Sequence, residues 1–276
     1  MAIFTTVAEC VRYYETCQTA FPILSEIVKP GDFNNWVRKL ESCASMDDYF
    51  FLENPGLNLL YVSVLTGKGL ETQGEAEPYV HCKRLLQKLS LYLHTFPALK
   101  ANRVFRGKVQ NLNQLSLLST LSELSLAYQL AAGGQQVKFE TKFKVGEASA
   151  EKDIDLSATD SNGELVHYEV YMPISQLEAD GFLDLNQDDA YFEKRTKAKL
   201  WEKFGNGEIT GLRGQIVLAI NTAPFDTFRL KNLLSLTASD AAKLRTLIPP
   251  YMDGLLLFDD GFESDNSFKF VRRLMK

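Results

Sequence analysis

Several features that are scarce in this sequence exclude whole classes of protein. The 276-residue chain has only four cysteines, none in a CxxC pair, and three histidines, so neither a disulfide framework nor a Cys/His zinc site is expected. No stretch approaches the roughly 18 uncharged apolar residues that a membrane helix needs. The N-terminal sequence also lacks the basic region of a secretion signal. We therefore expect a cytoplasmic protein with buried, reduced thiols and no membrane partner.

Positive charge is also scarce, because the formal net charge is −5. A chain without a global basic field is a poor candidate for a non-specific nucleic-acid coat. An acidic metal site inside a local basic rim is still compatible with this balance. One small basic cluster lies at residues 100–108 and comprises Lys100, Arg103, Arg106 and Lys108. It is read either as a solvated linker or as an edge that contacts phosphate.

The spacing of apolar residues changes along the chain and predicts two domains. Residues 1–111 show mainly helical spacing and are expected to form a helical N-terminal domain. Residues 112–276 are expected to form an α/β domain, because helical spacing there gives way to alternation and to a continuous apolar run. The predicted elements are helices at 114–132, 186–204 and 239–247, and strands at 136–144, 151–159, 164–172, 214–221 and 254–258. Residues 268–274 are read as a further edge strand or a helix.

Two carboxylates are predicted to lie side by side on one hairpin. Strand alternation places Asp155 and Glu169 on one face of their strands, and the turn at Ser161-Asn162 folds those strands together. Like charges at such a position need compensation, for which a divalent cation with oxygen ligands is the usual solution. The alternative is the solvent-facing polar side of an ordinary hairpin.

The same residues carry a family resemblance. The segments LSELSLAYQLAAGGQQVKFETKF and EKDIDLSATDSNGELVHYEVY are similar to the core of the PD-(D/E)XK (restriction-endonuclease-like) nucleases. Glu123 resembles the helix glutamate of that superfamily, Asp155 its metal-binding aspartate, and Glu169 the first residue of its E-x-K element. The resemblance implies a restriction-endonuclease-like mixed sheet flanked by helices, with Mg²⁺ or Mn²⁺ held by Asp155 and Glu169.

The sequence departs from the family pattern at Tyr171, where the signature lysine is expected. A tyrosine cannot supply the positive charge that offsets charge in the transition state. Some members carry this lysine on the following helix, and Lys197 is our first choice there because it shares a helix face with Trp201 and Phe204. Lys194 is the second choice, and Lys203, toward the helix end, is taken as a control. The alternative is that these lysines only solvate an amphipathic helix.

Four further side chains belong to the candidate site with lesser roles. His167 and Tyr171 flank Glu169 on its face of the strand, although a lone histidine in a strand is more often structural. Glu140 and Asp153 are substitute carboxylates.

Two functional hypotheses follow from the resemblance. The first is a metal-dependent nuclease that hydrolyses phosphodiester bonds of nucleic acid, DNA in preference to RNA. Asp155 and Glu169 would be its metal ligands, Glu123 an outer or third ligand, and Lys197 the catalytic cation. The second is a catalytically inactive protein of the same fold that serves as a binding or assembly module, with a protein partner on the helical N-terminal domain.

Overall fold

The computed structural model describes residues 6–42, 58–111, 116–146, 150–172, 198, 203–204, 209–223, 251–264 and 266–275. The chain divides into two units, one comprising Met1–Leu121 with Phe262–Asn266 and the other Ser122–Gly261 with Ser267–Lys276. The division falls inside a helix, whereas the sequence predicted a boundary between residues 111 and 112.

The first unit is built from helices, as its sequence spacing predicts. They are α1 Val7–Ala20, α2 Ile23–Ile27, α3 Pro30–Glu41, α4 Leu59–Thr72, α5 Glu77–Thr95 and α6 Arg103–Gln110, with a 3-10 helix at Pro97–Ala101.

Caps and one glycine explain two features of these helices. Helix α4 begins at Asn58, whose side chain accepts a hydrogen bond from the Tyr61 N–H at 2.9 Å. A Cβ at Gly67 would lie 1.8 Å from the carbonyl oxygen of Tyr13, so only glycine permits α4 to approach α1 this closely.

The basic residues at 100–108 lie in the 3-10 helix and α6 rather than in an extended linker.

The second unit carries a seven-stranded mixed sheet in the order β4-β1-β2-β3-β5-β6-β7. Helix α7 (Ser116–Ala132) precedes the strands. They are β1 Gln136–Val145, β2 Lys152–Thr159, β3 Leu165–Tyr171, β4 Ile209–Thr210, β5 Gln215–Asn221, β6 Gly254–Asp259 and β7 Lys269–Met275.

The pairing of these strands confirms the predicted mixed α/β architecture. Strands β1, β2 and β3 form an antiparallel meander, β5 and β6 add to β3 in parallel, and β7 pairs antiparallel with β6. The last segment, residues 268–274 of the prediction, is therefore a strand.

Of the helix predicted at 186–204, residues 198, 203 and 204 are described and are helical. The helix predicted at 239–247 lies outside the described residues.

One hydrophobic cluster lies against this sheet. Its fully or nearly fully buried members are Phe143, Ile154, Phe204, Ile216, Leu218, Ile220, Met252, Leu255 and Leu257. Strand β5 is buried from Ile216 to Asn221, as expected for a central strand covered on both faces. Burial of each large aliphatic side chain contributes roughly 1.5–3 kcal/mol. The core thus packs against the sheet whose strands β2 and β3 carry Asp155 and Glu169.

Candidate functional site

A tight turn sets the register of the β2–β3 hairpin. Gly163 has a φ of 83°, and the Asp160 carboxylate accepts hydrogen bonds from the Asn162 and Glu164 N–H groups, both at 2.9 Å. The turn places Leu156 opposite Tyr168. Asp155 and Glu169 are the next residues on the two strands, so the hairpin brings them to neighbouring positions, as predicted.

Both carboxylates are buried. The exposed fraction is 9% for Asp155 and 2% for Glu169. The Oδ2 atom of Asp155 accepts a hydrogen bond from the backbone N–H of Val170 at 2.8 Å, which fixes the orientation of its carboxylate across the two strands. Two buried carboxylates at neighbouring positions repel each other unless a cation lies between them.

The cation at this position is the ammonium group of Lys203. Its Nζ atom donates to Glu169 Oε2 at 2.5 Å and to Asp155 Oδ1 at 3.3 Å. Burial lowers the pKa of Lys203, but the charges and hydrogen bonds of Asp155 and Glu169 more than offset this effect, and the net shift is upward. Lys203 is therefore protonated at neutral pH. With both carboxylates ionised, the three groups carry one net negative charge.

Aromatic packing holds Lys203 in this position. The neighbouring Phe204 is fully buried; its ring stacks on that of Phe143, with 5.3 Å between centroids, and lies 5.7 Å from that of Tyr251. The Lys152 ammonium also donates to the backbone carbonyl of Lys203. The described contacts thus place Lys203, which was expected to be a control, beside both carboxylates, and the choice of Lys197 stays a prediction. Lys197 and Lys194 lie outside the described residues.

The remaining acidic candidates occupy separate positions. Glu123 lies in α7 with a partly buried side chain. Among the described residues, no group of three or more His, Cys, Asp or Glu side chains is arranged to hold a metal ion. Asp155 and Glu169 therefore form a pair, and the role of Glu123 as a third ligand stays a prediction. Asp153 forms an ion pair with Lys142 at 2.7 Å, and both side chains are partly exposed to solvent.

Strand β1 is irregular beside the carboxylates. Glu140 has a φ of 54°, which is unusual for a residue with a side chain. It lies between the pairs Phe139–Leu156 and Thr141–Ile154. The unusual backbone conformation therefore lies across from Asp155, and conformations of this kind are common at functional sites.

A hydrogen-bonded chain lies on the same strand face as the carboxylates. His167 is 2% exposed, and its Nε2 atom lies 2.8 Å from the Arg213 carbonyl oxygen, so Nε2 carries the proton. Its Nδ1 atom lies 2.7 Å from Ser157 Oγ, which lies 2.7 Å from Thr141 Oγ1. Burial lowers the pKa of His167, although the hydrogen bond to Arg213 raises it. The imidazole is thus neutral with both nitrogens engaged, which indicates a structural role.

Comparison with known proteins gives no further guide to function. The chain matches no family model, no curated protein and no solved structure. No described helix has the length and hydrophobicity to span a membrane. Function must therefore be inferred from the chemistry of Asp155, Glu169 and Lys203.

Proposed function

We propose that this protein is a metal-dependent nuclease of the PD-(D/E)XK type that hydrolyses phosphodiester bonds in nucleic acid. Asp155 and Glu169 would hold Mg²⁺ or Mn²⁺, and Lys203 would take the role of the missing signature lysine. The observation that carries the proposal is the Lys203 ammonium, which contacts carboxylates from two adjacent strands. The order of a helix, three strands and a further strand on the same sheet also supports it.

The two carboxylates are suitable ligands for a hard divalent cation. Mg²⁺ is usually held in proteins by one or two carboxylates, with water and substrate phosphate as the remaining ligands. The site is buried but not closed, because the Asp155 side chain is 11% exposed and that of Lys203 is 23% exposed. A bound ion would supply the positive charge that activates water and stabilises the transition state.

The protein's own side chains have distinct roles in this proposal. The Val170 N–H holds the Asp155 carboxylate in one orientation. Lys203 keeps its proton and can donate hydrogen bonds to the attacking water or to a phosphate oxygen, stabilising charge that develops in the transition state. Tyr171 lacks that charge, so the cation reaches the site from a different element of the fold.

Cleavage assays on matched lysine variants test the proposal. Lys203→Met keeps most of the apolar stem but removes the charge, so it should reduce Mn²⁺-dependent cleavage of plasmid and RNA by about 100-fold or more. Lys138→Ala, an exposed lysine on β1, is the matched control and should cut like wild type. Full activity in Lys203→Met would remove Lys203 from the mechanism. If wild type cuts neither DNA nor RNA with Mg²⁺ or Mn²⁺, the nuclease proposal is wrong.

A second candidate function is a non-catalytic binding or assembly module. The observation in its favour is that Lys203 already neutralises much of the carboxylate charge, within a described region that holds no three-ligand acidic group. Calorimetry with Mn²⁺ on wild type and Asp155→Asn distinguishes the two functions. Binding that is lost in Asp155→Asn supports the nuclease, whereas no binding by wild type favours the module.

A further inference from the structure

A second candidate site lies in a groove beside β7. The groove encloses about 290 Å³, and its lining comprises Leu130, Gln135, Tyr168, Leu256, Phe270, Val271, Arg272 and Arg273. Three of these side chains are nearly fully buried and form an apolar floor: Leu130, Tyr168 and Leu256. The ligand that fits must therefore have an apolar surface as well as groups that suit the rim.

This groove is separate from the Asp155–Glu169 site. Tyr168 lines it, and Tyr168 directly precedes Glu169 on β3. Successive side chains of a strand point to opposite faces of the sheet, so the groove and the carboxylates lie on opposite faces. A ligand in the groove would not contact Lys203.

The rim of the groove is positively charged in a chain whose net charge is negative. Strand β7 carries Lys269, Arg272 and Arg273 within its seven residues, and the described lining contains no carboxylate. Arg273 donates a hydrogen bond to Gln215 Oε1 at 3.2 Å, which holds its guanidinium beside the groove. Burial raises the pKa of Tyr168, whereas the charge of Arg273 lowers it, consistent with a guanidinium close to the phenol. The rim thus favours an anionic ligand.

An exposed aromatic ring lies at the same rim. Phe270 is 57% exposed and is one of three large hydrophobic side chains exposed in the described part of the chain. Its ring packs edge-on against Phe268, 4.8 Å away, and Phe268 stacks on the buried Phe258. The ring is therefore supported from below. A supported, exposed aromatic ring beside arginines is typical of surfaces on which the bases of single-stranded nucleic acid stack.

We propose that this groove binds single-stranded nucleic acid, with a base on Phe270 and a backbone phosphate at Arg273, whose strand partner Leu256 also lines the groove. A duplex fits less well, because its bases are already stacked on one another and cannot cover the ring. The inference goes beyond the nuclease proposal and does not require catalysis. If both are right, the groove holds a single strand on the face of the sheet opposite the cleavage site.

Fluorescence anisotropy on the full chain in EDTA, where no metal-dependent cleavage occurs, tests the inference. Labelled oligo-dT, oligo-U of the same length and a DNA duplex are the probes. Wild type should bind the single strands more tightly than the duplex, and the ratio of the two single strands shows whether the groove prefers DNA or RNA. Phe270→Ala should weaken single-strand binding by roughly tenfold. Arg273→Gln should weaken it and also flatten its salt dependence.

Two control variants distinguish the groove proposal from the nuclease proposal. Leu91→Ala, which also removes an exposed large hydrophobic side chain, and Lys138→Ala, which removes an exposed lysine of β1, should bind like wild type. Loss of cleavage with intact binding would affect the nuclease proposal alone. Equal binding by wild type, Phe270→Ala and Arg273→Gln overturns the groove proposal. Displacement of the oligonucleotide by an equal concentration of a poly-glutamate peptide also overturns it, in favour of an acidic protein partner.

Discussion

The second unit stabilises buried carboxylates in two different ways. Asp260, directly after β6, is fully buried and accepts hydrogen bonds from the Ser125 and Ser267 hydroxyls. The neighbouring Asn221 donates to the Asp260 carbonyl at 3.0 Å and accepts from the Asp260 N–H at 3.1 Å. These neutral donors belong to the folded framework. Asp260 therefore joins α7, β6 and the segment before β7, and its network is structural.

The pair of Asp155 and Glu169 differs from Asp260 in the charge of its partner and in its access to solvent. The partner is a charged ammonium group on a side chain that is 23% exposed. A metal ion could replace the ammonium group as the positively charged partner of these carboxylates, whereas the donors around Asp260 are neutral. The comparison indicates that burial of a carboxylate alone does not identify a functional site. The distinguishing feature of the Asp155–Glu169 pair is a charged partner that solvent can reach.

Among variants at these two sites, Lys203→Met should cause the largest loss in the free energy of unfolding. Removing one partner of a buried ion pair typically costs about 3–5 kcal/mol, so the free energy of unfolding should fall by roughly that amount in the absence of metal. Mn²⁺ should restore part of the loss, because a ligand that binds only the folded state stabilises it. Chemical denaturation with and without Mn²⁺ measures both effects. A loss that Mn²⁺ leaves unchanged would contradict the shared role of lysine and metal.

A smaller effect is expected at the structural site. Asp260→Asn replaces one acceptor oxygen by a donor opposite two serine hydroxyls, and such a mismatch costs about 1–3 kcal/mol. Added Mn²⁺ should not restore this loss. The same denaturation experiment provides the measurement. Rescue of Asp260→Asn by Mn²⁺ would mean that the metal binds near Asp260, and the contrast between the sites would fail.

The strands and the carboxylate pair could be predicted because their causes are local. Alternation at β2 and β3, together with the turn from Asp160 to Gly163, is enough to bring Asp155 beside Glu169. Because Tyr171 stands where a lysine is expected, a nuclease would need a cation from elsewhere in the chain, and this stays a prediction. These inferences need only neighbouring residues and the periodicity of a strand.

The ion pair of Lys203 with the two carboxylates could not be predicted, because it depends on distant packing. Helical spacing placed Lys197 on the face that carries Phe204, and this favoured Lys197 over Lys203. The position of Lys203 follows from the stacking of Phe204 on Phe143 and from the hydrogen bond of Lys152 to its carbonyl. No periodic pattern reports either contact. The only available signal was that Lys203 precedes a large aromatic residue expected to be buried.

A third prediction concerns high pH and tests how much the positive charge of Lys203 contributes to stability. The folded-state pKa of Lys203 lies above its ordinary value of 10.5, so its stabilising contribution is complete below 10.5 and is lost as pH rises through the folded-state value. The difference in unfolding free energy between wild type and Lys203→Met should therefore shrink above about pH 10.5. Buried tyrosines titrate in both proteins and cancel in this difference. A difference that stays constant to pH 11.5 would show that the ammonium charge contributes little.

The smallest expected effect on stability concerns His167, whose pKa is shifted downward, whereas that of Lys203 is shifted upward. Its folded-state pKa is lowered, chiefly by burial, so the neutral imidazole stabilises the fold fully above the ordinary value near 6.5. This contribution is lost as pH falls below 6.5 toward the folded-state pKa, because the unfolded chain then binds a proton that the folded chain does not. Wild type should lose stability relative to His167→Gln between about pH 6.5 and 5. The Asp155–Glu169–Lys203 contacts are intact in both proteins, so Mn²⁺ affinity at pH 7 should be equal. A loss of Mn²⁺ binding in His167→Gln would instead make the histidine part of the metal site rather than of the framework that supports β3.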